Sequence, residues 1–174
     1  MSRVTDQEVL KLVAERVLQD GEPPRATSEQ IKEAEAALGV PLPPLLSRLY
    51  REIGNGGFGP DYQLLPLTGS PSCTAAYEAE RATGHWPAGV LPILDWGCGM
   101  YAAVDCTVPQ APVLLFEPNA VADDWTHAWF QDAESLSAWL ETWLSGTAWY
   151  EEEAAMSEDF TGPQPWPEAE RRLS

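Results

Sequence analysis

Thr27-Ser28-Glu29-Gln30-Ile31-Lys32-Glu33-Ala34-Glu35-Ala36-Ala37-Leu38-Gly39-Val40-Pro41-Leu42-Pro43 reads as one complete helix followed by an enforced stop. Thr27 is a helix cap, and Gln30 three residues on completes a capping box. Ile31, Ala34, Ala37 and Leu38 form a short apolar face at helical spacing. Gly39 stands where a helix ends in a left-handed residue, so a positive φ is expected there. Pro41, Pro43 and Pro44 forbid continuation, but Pro44 suits the first turn of a new helix. That third helix is carried by Leu45, Leu46, Leu49, Tyr50 and Ile53, and Gly54-Asn55-Gly56-Gly57 ends it in a sharp turn. Upstream, Thr5 and Glu8 form another capping box. Val9, Leu10, Val13, Val17 and Leu18 make one stripe, and Asp20-Gly21 stops the helix before a stiff Glu22-Pro23-Pro24-Arg25 linker.

Downstream the period changes. Tyr62–Leu67 is expected as a strand with a weak end at Pro66, and Ser72–Ala82 as a helix. Val90–Asp95 and Met100–Cys106 flank Trp96-Gly97-Cys98-Gly99 and predict a β-hairpin. Val113–Glu117 and Trp125–Gln131 are two further expected strands. Asp132 is the expected cap of a last helix, in which Leu136, Trp139, Leu140, Trp143 and Leu144 follow the apolar template as far as Gly146. From Glu151 the chain has seven acids and two arginines among several prolines, and reads as an appendix with two alternatives, a flexible tail or one pinned to the body by Trp149, Phe160 and Trp166. Helices, then strands, then a helix predict an α+β fold: a small, mostly antiparallel or mixed sheet with helices packed on it. Without βαβ alternation, a Rossmann-like parallel sheet is not expected.

The chain has 174 residues and a formal charge of −17. That length fits one domain with one real core. Direct nucleic-acid binding needs clustered Lys and Arg; here the lysines are Lys11 and Lys32 and the arginines are scattered. An anionic membrane surface is disfavoured on the same ground, and no apolar run is long enough to span a bilayer. Met1–Asp6 lacks an apolar signal core, so a cytoplasmic location is expected. A basic protein partner suits the charge. Cys73, Cys98 and Cys106 form no C-x-x-C pair and are expected as free thiols.

No residue pattern announces catalysis. A nucleophilic Cys98 or Cys106 beside His85 or His127 has the right residue types but no supporting spacing, and Gly97-Cys98-Gly99 is better read as a tight turn. His85 and His127 are too isolated for a zinc site. Asp123-Asp124 is expected as a solvated loop pair rather than a cation site. Asn55-Gly56-Gly57 lacks the lysine and spacing of a phosphate loop. No cofactor, metal or catalytic residue is expected. The eight tryptophans are the informative excess. Trp139 and Trp143 belong to the core stripe; Trp86, Trp96, Trp125 and Trp129 read first as core and sheet-face packing, with exposed anchors as the alternative, for which Trp96, at the hairpin tip, is the preferred candidate. Asp95, Asp105, Asp123, Asp124 and Trp125 complete the expected partner-binding set, suited to a basic, partly apolar surface.

The run Leu38-Gly39…Leu42-Pro43, followed by Asn55-Gly56-Gly57, resembles the opening signature of the SUKH superfamily, the relatives of the yeast Smi/Knr cell-wall regulator. Leu91-Pro92-Ile93, Gly97-Cys98-Gly99 and Tyr101–Asp105 are similar to that family's central hairpin. Val113–Phe116 is similar to its next strand and Ser135–Leu140 to its closing helix. The organisation expected is therefore an N-terminal helix and linker over 1–26, a SUKH-like domain over 27–146 and an acidic tail over 147–174. The resemblance implies an α+β fold without catalytic residues. It implies an intracellular immunity protein that binds a cognate toxin, often a nuclease. The alternative is a regulatory scaffold like the yeast member. A third reading, a hydrolase or transferase using Cys98 or a carboxylate pair, comes from the residues alone.

Overall fold

A computed structural model describes residues 4–119, 121–158 and 161–173. Its centre is a five-stranded antiparallel sheet in simple chain order. The strands are β1 (Val90–Gly97), β2 (Met100–Asp105), β3 (Val113–Phe116), β4 (Trp129–Ala133) and β5 (Gln164–Pro165). The helices are α1 (Asp6–Asp20), α2 (Ser28–Leu38), α3 (Pro44–Arg48), α4 (Cys73–Ala82), α5 (Leu136–Ser145), α6 (Glu152–Ala155) and α7 (Ala169–Leu173). The expected α+β class holds, with an antiparallel sheet.

Both expected capping boxes form, Thr5 with Glu8 and Thr27 with Gln30. Gly39 caps α2 at φ 86°, in the left-handed region. Pro44 opens α3, whose last turn widens into a π-helical segment, Leu49–Ile53. Gly56 has φ 76°, and a Cβ there would lie 2.6 Å from the Leu65 carbonyl carbon, so the turn is closed against backbone. Helix α1 packs on α5, and both touch α3; α2 packs on α4, which lies along β1. Val9 and Val13 of α1 are fully buried in the same core as Leu46, Ile93, Leu114 and Leu140. All four residues of β3 are buried, so both sheet faces are covered there.

Four local expectations are corrected. Tyr62–Leu67 is irregular: Leu65 N–H reaches the Ile93 carbonyl at 2.8 Å, but Pro66 has no N–H to extend a ladder. Trp125–Ala128 is a 3-10 turn, because Asp124 accepts from both the N–H and the hydroxyl of Thr126; the strand begins only at Trp129. The cap of α5 is Ser135, which accepts from Ala138 N–H, and not Asp132. Leu18, expected on the apolar stripe, is 60% exposed.

The acidic segment is tied to the body. Its β5 pairs with β4, Trp166 is buried against Trp129, and Arg172 of α7 forms a buried ion pair with Asp105 at 2.7 Å. Phe160, expected as another pin, lies outside the described residues.

Candidate functional site

The β1–β2 hairpin turns through Cys98 and Gly99, at φ 54° and 79°. Positive φ at both central residues is the type I′ signature, whose twist matches antiparallel strands. A register shift between Asp95 and Gly97 sets Trp96 at a bulge, and Asp95 Oδ1 accepts from Gly97 N–H. Trp96 meets three rings: Tyr62 at 5.7 Å, Trp149 at 5.3 Å and Tyr150 at 5.0 Å between centroids. These four rings, with Asp61, Met100, Glu152 and Ala155, line an open cleft of about 480 Å³.

The far wall is held from below by Asp132. Its Oδ2 accepts from Trp149 Nε1 at 2.9 Å and from Trp139 Nε1 at 3.2 Å. Burial raises this carboxyl to about 6, while the two indole donors pull it the other way. Burial, and then the charge of Asp132, pushes the Tyr150 phenol well above its ordinary value. Tyr150 Oη and Trp96 Nε1 are buried and have no hydrogen-bond partner among the described residues.

The expected partner-binding residues do not form one surface. Trp96 lies in the cleft described above. It is half-buried between rings rather than standing free, so Trp96→Ala is expected to cost stability as well as binding. Trp125 lies in a second aromatic group, stacked on His85 at 4.1 Å and facing Phe116 at 6.4 Å. Phe116 pairs with Tyr101, while the preceding Met100 lines the cleft; successive strand residues point to opposite faces, so the two groups lie on opposite sides of the sheet. Asp95, Asp123 and Asp124 are exposed. Asp105 is 2% exposed and bound by Arg172 and Thr107, so it presents no charge to a partner. Tyr62, Trp149, Tyr150, Asp61 and Glu152 were not anticipated as a group. Their one signal in the sequence is the aromatic pair Trp149-Tyr150 running directly into Glu151-Glu152-Glu153.

The groups considered for chemistry are dispersed. Cys73 is buried and its thiol is pushed up to about 12; burial also raises Cys106. A thiol held protonated is a poor nucleophile. Cys98 is exposed on the hairpin turn, whereas His85 stacks on Trp125 and His127 lies 3.6 Å from Asp124. No group of three or more His, Cys, Asp or Glu is placed to hold a metal ion among the described residues. No helix among them is long and apolar enough to cross a membrane.

A helix stopped by Leu38-Gly39, the Asn55-Gly56-Gly57 turn, an antiparallel hairpin and a closing helix thus stand in the order the sequence resemblance implies. No curated protein matches the chain. The family model described as SMI1 / KNR4 family (SUKH-1) matches residues 25–142, from the linker before α2 into α5. That match covers more than half of the chain, and the protein belongs to the SMI1 / KNR4 family (SUKH-1).

Proposed function

We propose that this protein is a non-catalytic, cytoplasmic protein-binding module, an immunity protein that binds a cognate toxin with a basic face and blocks it by occlusion. A basic nuclease is the toxin class that best suits the charge. Family membership is the observation that carries the reading. The formal charge of −17 supports it, because an acidic surface steers a basic partner into encounter. The aromatic cleft between Asp61 and Glu152 supports it further, since aromatic anchors dominate protein interfaces.

Co-expression with the product of the adjacent gene tests the proposal, provided that product is toxic alone. Growth is rescued and the two proteins co-purify if the reading is right. Toxicity without rescue removes it. One observation favours a regulatory scaffold instead: α1 lies outside the family-matched segment and exposes two leucines, Leu12 at 46% and Leu18 at 60%. An unbiased pull-down that depends on those two leucines would support that alternative.

A further inference from the structure

The cleft beside Trp96 combines features that together specify an occupant. Four of its eight lining residues are aromatic, two are carboxylates and none is a cation. Asp61, Tyr62 and Glu152 are exposed at its rim. The cationic influence felt at Tyr150 comes from Arg16, whose guanidinium is already engaged 4.8 Å over the Trp143 ring. Arg172 lies in the same way 5.4 Å over Trp166. Among the described residues, arginines thus lie over indole faces twice, and none lies over the rings of this cleft. Two of the three buried polar atoms that lack a partner among the described residues, Trp96 Nε1 and Tyr150 Oη, belong to this lining. Buried polar atoms without a partner are uncommon in folded proteins.

We infer that this cleft is the seat of a basic side chain, an arginine above all, projecting from the protein partner. A planar guanidinium stacks on Trp and Tyr faces and keeps its charge there, while its N–H groups reach the rim carboxylates. Asp61 and Glu152 repel an acidic side chain from the same place and give a neutral one nothing to pair with. The inference rests on the protein-binding reading above and adds the chemistry of the contact.

The test uses the full chain and a capped Gly-Gly-Arg-Gly-Gly peptide. The probe's twin carries citrulline, the neutral isostere, in place of arginine. Binding is read from the indole N–H signals of Trp96 and Trp149 by NMR. Both signals should move with the arginine peptide in the millimolar range and stay still with the citrulline peptide. Asp61→Asn with Glu152→Gln should weaken the effect about three-fold or more, as should high salt. Both substituted side chains are exposed, so the fold is kept, and unchanged signals elsewhere in the spectrum verify this. Equal shifts with citrulline, shifts centred on Trp125, or no shift at all would overturn the inference. The two readings also fail separately. If a toxin is neutralised but its complex is indifferent to the Asp61/Glu152 double variant, the cleft assignment falls and immunity stands. If the peptide binds as described and no toxin is neutralised, the cleft assignment stands and immunity falls.

Discussion

Asp132 is a half-buried carboxylate whose described partners are two indole N–H groups. Its pKa is higher in the folded chain, about 6, than its ordinary value of 3.8. A group shifted this way binds its proton first in the native state, so the stability it lends is full below the ordinary value and is lost as pH rises through about 6. Asp132→Asn keeps an acceptor oxygen without the charge. Urea unfolding should show it about 1–2 kcal/mol more stable than the parent at pH 7, with a flatter dependence between pH 4 and 7. Asp132→Ala strands the Trp139 and Trp149 donors and should cost about 2 kcal/mol. Glycines divide by what surrounds them. Gly39→Ala meets open space and should cost about 1 kcal/mol for its left-handed backbone, whereas Gly56→Ala drives a Cβ into Leu64 and Leu65 backbone and should cost several times as much. Thermal melts of the pair measure the difference. Both glycines were legible in the sequence, Gly39 as a positive-φ helix end and Gly56 as part of a sharp turn. The role of Asp132 was not, because a carboxylate before a helix has the composition of a cap and only the tertiary fold brings two indoles to it.

At the scale of elements, the β1–β2 hairpin asks a cysteine to adopt φ 54°. Asn-Gly is the preferred pair for this turn, so Cys98→Asn should raise the melting temperature slightly, by about 0.5 kcal/mol of stability. A destabilised variant would mean that the Cys98 side chain makes a contact the turn needs. One of the ties that hold the C-terminal segment is a buried ion pair. Arg172→Ala removes the partner of Asp105, a hydrogen bond to the Ala88 carbonyl and the contact with Trp166, and should cost about 3 kcal/mol in urea unfolding. Helices with capping boxes were legible because their signals are local, and so were the hairpin strands. Tyr62–Leu67 was misread as a strand because Pro66, visible in the sequence, was weighed as weakening only its end, and Trp125–Ala128 because composition is blind to the Asp124 side chain taking over the backbone of Thr126. Strand β5 escaped notice because two residues carry no period at all, and long-range pairing with β4 creates it.

For the whole molecule, fold and family were legible: the order of elements and the Leu-Gly, Leu-Pro and Asn-Gly-Gly runs are written in consecutive residues. The cleft was not, since Tyr62, Trp96 and Trp149 are far apart in the chain and meet only because the hairpin bulge and the turn after α5 bring them together. Asp105 shows the reverse error, an acid assigned to the surface that folding buries beside Arg172. The same charge of −17 that steers a basic partner repels itself within the fold. Moderate salt should therefore raise the melting temperature of the free protein while slowing association with its partner. A partner on-rate indifferent to salt would remove the electrostatic part of the account. The central claim, neutralisation by binding without catalysis, is tested most directly by titrating purified toxin with this protein and following toxin activity. The account predicts loss of activity in proportion to added protein, complete at one equivalent, with unmodified, active toxin recovered when the complex is dissociated. Inactivation of many toxin molecules by each copy of this protein, or recovery of covalently altered toxin, would contradict it.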